Sequence, residues 1–199
     1  VGPLGSGALD AAAFDIADVN PNPARFDQKK AESINGDHIR MLAADDFAAR
    51  ILPYLAKADV LSDEPSAEQL ALIAQAAPLV QERVQVLGEV PGMLGFLFTD
   101  TLEYEEAALK GLPANAAEVL VASVGALELV PVEAFTAASI QEALSGALID
   151  GLGLKPRIAY GPPRVAISGR RVSPPLFESM ELLGKAETIR RLGLLVERL

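Results

Sequence analysis

The chain has 199 residues, of which 50% are hydrophobic and 5% aromatic, enough for one ordinary domain or two small helical ones. It has no cysteine and a single histidine, which excludes disulfides, thiolate metal sites and histidine-rich zinc sites. Its net charge is −10, and that average alone disfavours a nucleic-acid partner. Neither a membrane-length apolar run nor a signal peptide is evident, so we expect a cytoplasmic protein with no membrane partner.

Charge is distributed unevenly along the chain. Residues 1–154 carry 8 Lys and Arg against 23 Asp and Glu, a net charge of −15. Residues 155–199 carry 9 against 4, a net charge of +5. This split indicates that the basic segment faces an anion while the acidic part is solvated.

Three helices are predicted in the first part of the chain. Residues 1–6 are typical of an expression-vector remnant left by protease cleavage. A short amphipathic helix is predicted over Ala8–Val19, followed by a proline-containing turn. Helices are then predicted from Phe26 to Leu42 and from Asp45 to about Ala58, the latter with a kink or break at Pro53.

The next predicted helix has the clearest periodicity. Ser66 and Gln69 have the spacing of a capping box. Apolar residues at helical spacing then run from Leu70 to Leu87 and predict one continuous helix. Arg83 lies beside this stripe and can reach a partner. A turn and a short helix are predicted over Gly88–Phe98.

Three further helices are predicted in the middle of the chain. One covers Glu103–Leu112, and another runs from a cap at Asn115 to about Val130. A third begins at a cap formed by Ser139 and its neighbours and ends at the glycines 151–153.

The basic segment is rich in proline. Arg164–Ile167 is predicted to form one or two helical turns. Ser173 and Pro174 predict a helix start, with serine as the N-cap and proline in the first turn, and Gly184 ends that helix. A last helix has an apolar stripe from Ile189 to Leu199.

No catalytic constellation is evident. There is no glycine-rich phosphate loop, and carboxylate pairs such as Asp45 and Asp46 lie at predicted helix starts, where they are solvated. We therefore predict no catalytic residue and no metal site. The fold class is all-α, a helical bundle or α-helical cage of two packed subdomains with a break near Phe98–Glu103.

Several motifs, taken in order, point to a known family. They read NPARFDQKK at 22–30, NGDHIR at 35–40, QERV at 81–84, PRVAISG at 163–169, and SPPLFE at 173–178 followed by LLG at 182–184. In this order the chain resembles the C-terminal, anticodon-binding half of bacterial glutamyl-tRNA synthetases, which are class I aminoacyl-tRNA synthetases or glutamate–tRNA ligases.

The resemblance implies that catalysis and tRNA binding belong to different parts of the parent enzyme. Enzymes of this family join glutamate to its tRNA using ATP and magnesium, in a catalytic half whose signature motifs do not occur in these 199 residues. This chain is then expected to need no cofactor and not to aminoacylate alone. The implied partner is the glutamate tRNA, with the glutamine tRNA left open and DNA excluded, and the parent enzyme is expected to be monomeric.

The resemblance also implies domain boundaries. After the remnant at 1–6, residues 7–60 would be the end of a helical bundle that contacts the tRNA stem. Residues 61–98 and 99–199 would be the first and second anticodon-binding subdomains.

Five residues match the family's anticodon contacts: Arg83, Arg164, Ser173, Pro174 and Leu176. Arg83 would read the third anticodon base through its guanidinium fork, and Arg164 would meet the anticodon loop. The turn from Ser173 to Leu176 would contact the first two bases, with proline rings and leucine packed on an unstacked base. Ion pairs for the two arginines and an ordinary helix start for the turn remain the alternatives.

Two further sets of residues are candidates for RNA contact. Charge alone predicts phosphate contacts, which position RNA without reading its sequence, at Lys155, Arg157, Arg170 and Arg171. The resemblance places three residues against the tRNA stem: Asn35, His38 and Arg40. The alternative for each of the four basic residues is an ordinary surface side chain, and for His38 it is a packing or surface histidine.

A second hypothesis comes from a different class. The −15 charge of residues 1–154 is also what a helical protein-interaction domain would show if it bound a partner protein through its acidic half, with no RNA role. Pull-downs that are insensitive to ribonuclease would favour that hypothesis.

Overall fold

A computed structural model describes residues 27–199, and within that range the chain is helical with no β-strand. This confirms the predicted all-α fold. The helices are α1 Gln28–Arg40, α2 Ala44–Lys57, α3 Ala67–Gln81, α4 Val90–Leu94, α5 Glu106–Lys110, α6 Ala116–Glu128, α7 Ala137–Leu144, α8 Pro156–Ala159, α9 Gly161–Ser168, α10 Leu176–Leu183 and α11 Lys185–Arg198. The remnant at 1–6, the helix predicted over 8–19 and the start of the 22–30 motif lie outside the described residues.

Shorter helical turns complete the architecture. Turns of 3-10 type cover Leu87–Glu89, Gly95–Phe98 and Val132–Ala134. A π-helical segment, Ser145–Gly151, continues α7 to the predicted glycine stop. α2 continues through Pro53, so the predicted break there does not occur.

α1 to α4 enclose one hydrophobic core, called the first core below. Its buried members extend from Ile39 on α1 to Leu94 on α4, and Phe47 and Ile51 of α2 are fully buried within it. This core crosses residues 60 and 61, so helices on either side of that predicted domain boundary pack together. The assignment of residues 7–60 to a stem-contact bundle stays a prediction.

α5 to α11 enclose a second core, whose buried members extend from Ala108 to Leu195. α11 packs along α6 and α9, and α10 packs on α7. The last residue packed on the first core before the division is Phe98, and the first packed on the second core after it is Tyr104. The two cores therefore divide between Phe98 and Tyr104, and the assignment of residues 61–98 and 99–199 as two anticodon-binding subdomains stays a prediction.

The two cores are held together by packing and by hydrogen bonds to main-chain carbonyls. Leu182 on α10 packs against the first core. Residues 99–105, called the connection below, lead from the first core to α5. The Glu105 N–H donates to the Gly169 carbonyl at 2.9 Å, and Arg190 Nη2 donates to the Asp100 carbonyl at 3.0 Å. The connection is thus fixed against α9 and α11.

The prediction of a continuous helix to Leu87 is wrong. α3 ends at Gln81, a buried residue whose amide donates to two carbonyls at and just after the end of α1, both at 2.9 Å. These bonds tie the end of α3 to α1, and the chain turns immediately afterwards. Arg83 therefore lies in a turn rather than on a helix, while Val84 still reaches the first core.

The structure confirms one of the three predicted N-caps named here and differs from the prediction at the other two. The capping box of Ser66 and Gln69 is confirmed. The cap predicted at Ser139 is wrong, because Thr136 is the N-cap of α7 and Ser139 is its reciprocal partner in the first turn. Asn115 does precede α6, but its side chain makes no capping hydrogen bond.

The start of α10 also differs from the prediction. The helix begins at Leu176 after Pro175, so Ser173 is not its N-cap. Ser173 is buried and its hydroxyl bonds to a distant arginine instead. Gly184, with φ of 78°, ends the helix as predicted. Leu199 does not belong to the buried stripe of α11, because its side chain is 56% exposed.

No helix within residues 27–199 is long and apolar enough to cross a bilayer. Over the same range, no group of three or more His, Asp or Glu side chains is arranged to hold a metal ion.

Glu187 on α11 makes stability depend on acid. Hydrogen bonds from Arg190, and then from Arg191, hold the pKa of its carboxyl at about 2, against an ordinary value of 4.5. The folded state thus favours the ionised carboxylate, and this contribution is complete above about pH 4.5 and lost as the pH falls towards 2. We expect Glu187→Gln to lower the melting temperature at neutral pH. On acidification, the melting temperature of the variant should fall by less than that of the parent chain.

Thermal unfolding followed by circular dichroism between about pH 7 and about pH 3 measures this difference. Glu197→Gln is the matched control, since Glu197 is an exposed carboxylate on the same helix. A Glu187→Gln melting curve that runs parallel to the parent's at every pH would contradict the assignment.

Candidate nucleic-acid interface

Two adjoining cavities on one face of the molecule form an arginine-lined depression. The first has a volume of about 460 Å³ and is lined by Arg157, Arg164 and Arg171. The second has a volume of about 540 Å³ and is lined by Arg83, Arg170 and Arg171. Arg171 borders both cavities. These five arginines define what is called the arginine groove below.

The short helix α9 places Arg164 and delivers the two arginines that follow it. Its first turn contains Pro162 and Pro163, which are tolerated there because the first N–H groups of a helix lack partners inside it. Gly169 ends the helix with φ of 72°, a left-handed conformation that favours glycine. The chain then turns, and Arg170 and Arg171 emerge over the groove.

Two glycines make room for these arginines. A side chain at Gly92 would begin 3.0 Å from Arg170 Nη1, and one at Gly111 would begin 2.9 Å from Arg171 Nη1. Both guanidinium groups therefore lie against bare backbone. These contacts could not be predicted from the sequence, since each glycine is far from its arginine along the chain.

The guanidinium of Arg164 is held in place from one side. Its Nη1 donates to the Ser173 hydroxyl at 2.7 Å and to the Pro174 carbonyl at 2.8 Å. No buried side-chain nitrogen or oxygen in the described residues lacks a hydrogen-bond partner, so the remaining donors of Arg164 retain access to solvent. Arg164 is thus oriented by the turn and free to donate to a ligand.

Arg83 and Arg164 form a pair of like charges. Burial lowers the pKa of Arg164, and the positive charge of Arg83 adds to that effect. Across residues 27–199, neither arginine takes part in an ion pair, so the ion pairs considered as alternatives for them are not observed. Two neighbouring unpaired guanidinium groups favour an anion between them.

The turn from Ser173 to Leu176 supports the groove more than it lines it. Ser173 is 4% exposed and Leu176 is 3% exposed, and Leu176 is part of the second core. A base contact by the Leu176 side chain would need this turn to open, so that role and the base contact of Pro174 stay predictions. Val172, which the sequence did not single out, is 75% exposed and lines the second cavity.

The predicted phosphate contacts occupy different environments. Arg157 and Arg171 are exposed within the groove. Arg170 forms an ion pair with Glu105, with Nε 3.1 Å from Oε1. Lys155 is exposed but lines neither cavity. Of these predicted phosphate contacts, the groove therefore offers an anion Arg157 and Arg171, which form no ion pair in residues 27–199, and Arg170, which a carboxylate already engages.

The predicted stem contacts do not line the groove. The Asn35 amide donates to the Gln85 carbonyl, and Arg40 pairs with Asp37 on α1. His38 is exposed on the same helix. All three predicted residues lie on α1, and their contact with a tRNA stem stays a prediction.

Comparison with known proteins gives one family and many relatives. Residues 46–195 match the model of a family described as anticodon binding domain. The chain is 64% identical over 183 residues to a glutamate–tRNA ligase of Leifsonia xyli subsp. xyli, covering 91% of this chain and 37% of that protein. It is 62% identical over 182 residues to the glutamate–tRNA ligase of Clavibacter sepedonicus, covering 90% and 36%.

Solved structures show the same fold. A crystal structure of a glutamate tRNA ligase from Elizabethkingia meningosepticum matches with a TM-score of 0.69 at 24% identity, over 92% of this chain and 35% of that one. The chain thus spans little more than a third of the length of the curated relatives it matches.

Proposed function

The chain belongs to the anticodon-binding domain family, and on that premise we propose that its arginine groove binds the anticodon loop of a tRNA. The observation that carries the proposal is that the two cavities of the groove each contain a guanidinium group without an ion-pair partner in residues 27–199, Arg164 in the first and Arg83 in the second, close enough for Arg83 to influence the pKa of Arg164. The relatives are named glutamate–tRNA ligases, which supports the glutamate tRNA as the cognate ligand.

The groove can combine two kinds of contact. An arginine fork matches the paired acceptors on a base edge, whereas exposed arginines such as Arg157 and Arg171 meet phosphates without reading sequence. Anticodon bases are unstacked in a loop, so their edges are available to such side chains. The net charge of −15 on residues 1–154 would repel RNA that approaches elsewhere.

We further propose that this chain supplies recognition to a glutamate–tRNA ligase. Attachment of glutamate, with its use of ATP and magnesium, would then belong to the greater part of the relatives' length that this chain does not span. A filter-binding titration with the glutamine tRNA itself measures whether that tRNA is bound as well.

The proposal is tested by Arg83→Ala and two tRNAs that differ only in the third anticodon base. We expect the parent chain to prefer the glutamate tRNA and Arg83→Ala to lose that preference, because a lost bidentate base contact removes about 1–3 kcal/mol of discrimination. Filter-binding titrations with both tRNAs at fixed salt give the two affinities.

Arg50→Ala is the matched control, because Arg50 is an exposed arginine on α2 that pairs with Asp46 and lies outside the groove. It should leave both affinities unchanged. Equal binding of the two tRNAs by the parent chain would overturn the base-reading role, and absence of tRNA binding would favour a protein partner instead.

A further inference from the structure

Arg191 on α11 is the largest fully buried side chain in the described part of the chain, with 2% of its surface exposed. Its Nη1 donates to the carbonyls of Phe96 and Ile167, both at 2.8 Å, and its Nη2 donates to the carbonyl of Thr99 at 2.7 Å. Its Nε donates to the Glu187 carboxylate. Every nitrogen of the guanidinium therefore has a partner.

The three carbonyls come from the two parts of the molecule that form the groove. Phe96 lies in the 3-10 turn that packs on the first core, and Thr99 begins the connection. Ile167 lies on α9, the helix that carries Arg164. One side chain thus holds α9 against the first core, whose α3 leads directly into Arg83.

Two further contacts join the end of α9 to the connection. The Gly169 carbonyl at the end of α9 accepts from the Glu105 N–H, and Arg170 pairs with the Glu105 carboxylate. These contacts and Arg191 lie at the two ends of the connection, residues 99–105. Together they leave the connection little freedom to change the distance between the cores.

The residue type at position 191 is set by geometry rather than by the need to fill space. A buried ion pair is often replaceable by apolar side chains, so burial alone does not require an arginine. Here, however, three carbonyls from separate segments need donors in different directions. An apolar side chain would leave them unsatisfied, and a lysine offers a single nitrogen where arginine offers a rigid fork.

We propose that Arg191 is a positioning residue for RNA recognition, which fixes the distance between Arg83 and Arg164 across the arginine groove. It touches no ligand and acts through the carbonyls that it bridges. The proposal rests on the proposed function of the groove, but its geometric part can be measured without any RNA.

The distance is measured with spin labels, which the sequence makes simple because the chain has no cysteine. Gly88 lines the cavity of Arg83 and Gly161 lines that of Arg164, and an added Cβ at either glycine has no atom within 4 Å. Labels on Gly88→Cys and Gly161→Cys therefore report the separation of the two sides by pulsed electron spin resonance. We expect a narrow distribution in the parent chain.

Arg191→Lys keeps the charge and loses the fork, and Arg191→Met loses both. We expect each to broaden or shift the distance distribution. Glu187→Gln, which removes one support of the guanidinium, should do so to a smaller extent and gives a milder variant if the others do not fold. An unchanged distribution in a folded Arg191 variant would overturn the proposal.

RNA titrations on the unlabelled variants test the consequence. We expect the preference for the glutamate tRNA over its third-base variant to fall about tenfold in Arg191→Lys, while salt-dependent binding of both tRNAs persists. Ile140→Ala is the matched control, because it removes apolar contacts from the second core and none of the hydrogen bonds that hold the connection. It should lower stability but keep the preference.

The outcomes separate the two proposals. A parent chain with no preference between the tRNAs, but with a distance distribution that Arg191→Lys broadens, would overturn base reading and support positioning. A preference that falls as much in Ile140→Ala as in Arg191→Lys would overturn the positioning role in recognition, because loss of stability alone would then explain the effect.

Discussion

Gly169→Ala is expected to destabilise the fold by more than about 3 kcal/mol, a large share of the total stability of a typical domain. Two effects add at this position. With φ of 72°, Gly169 has a left-handed backbone conformation that costs an L-residue about 1–2 kcal/mol. The added Cβ would also lie well inside van der Waals contact with the Glu103 carbonyl oxygen.

The Glu103 carbonyl oxygen, with which the new methyl group would clash, cannot move cheaply. The Glu103 oxygen belongs to the backbone of the connection, which is bonded to Gly169 itself through the Glu105 N–H at 2.9 Å. Relief of the contact would push the connection away from α9 and break that bond. We therefore expect Gly169→Ala to weaken RNA binding as well as stability, because Arg170 and the end of α9 would shift.

Gly153→Ala separates the two effects. Gly153 has a nearly equal φ of 66°, but an added Cβ there meets no atom within 4 Å. This variant should show the backbone cost alone, about 1–2 kcal/mol. Urea unfolding of both variants gives the comparison. A similar loss in the free energy of unfolding for the two variants would mean that the connection moves at little cost and does not fix the ends of the groove.

Much of the helical framework could be predicted because its signals are local. The capping box of Ser66 and Gln69 works through residues of one turn, and the stop at Gly184 needs only its own φ. The end of α3 at Gln81 could not be predicted in this way. It is set by hydrogen bonds to the end of α1, on the other side of the first core.

The groove was predictable only as a set of charges. The uneven distribution of charge indicated the basic segment, and the resemblance indicated Arg83 and Arg164. Their closeness, and the space that Gly92 and Gly111 provide for neighbouring arginines, follow from tertiary packing. The burial of Arg191 could not be predicted for the same reason, since an arginine next to the apolar stripe of a helix is normally exposed.

Arg164→Ala is expected to have the largest effect on RNA binding of any single substitution in the groove. Arg164 is the half-buried arginine whose fork is aligned by the Ser173 hydroxyl and the Pro174 carbonyl. Since little side-chain freedom is left to lose on binding, a contact made by its free donors is worth more than one from an exposed arginine. Titration with the glutamate tRNA should show affinity lower by about 2 kcal/mol or more.

Arg157→Ala is the control that isolates alignment from charge. Arg157 lines the same cavity and carries the same charge, but it is exposed on α8. Loss of Arg157 should lower the affinity for the glutamate tRNA and for its third-base variant equally. It should also reduce the salt dependence of binding by about one phosphate contact. Equal effects of the two substitutions at every salt concentration would mean that Arg164 contributes only charge.

Ser173→Ala then tests the source of the alignment. It keeps the Arg164 guanidinium and its bond to the Pro174 carbonyl, but removes the hydroxyl 2.7 Å from Nη1. If the turn acts by orienting Arg164, Ser173→Ala should reduce affinity to a value between those of the parent and Arg164→Ala, although Ser173 itself is buried. A Ser173→Ala chain that binds like the parent would instead assign the alignment to the Pro174 carbonyl. The motif from Ser173 to Leu176 would then act on the RNA through the arginine that it holds, which explains how a buried turn can belong to a binding site.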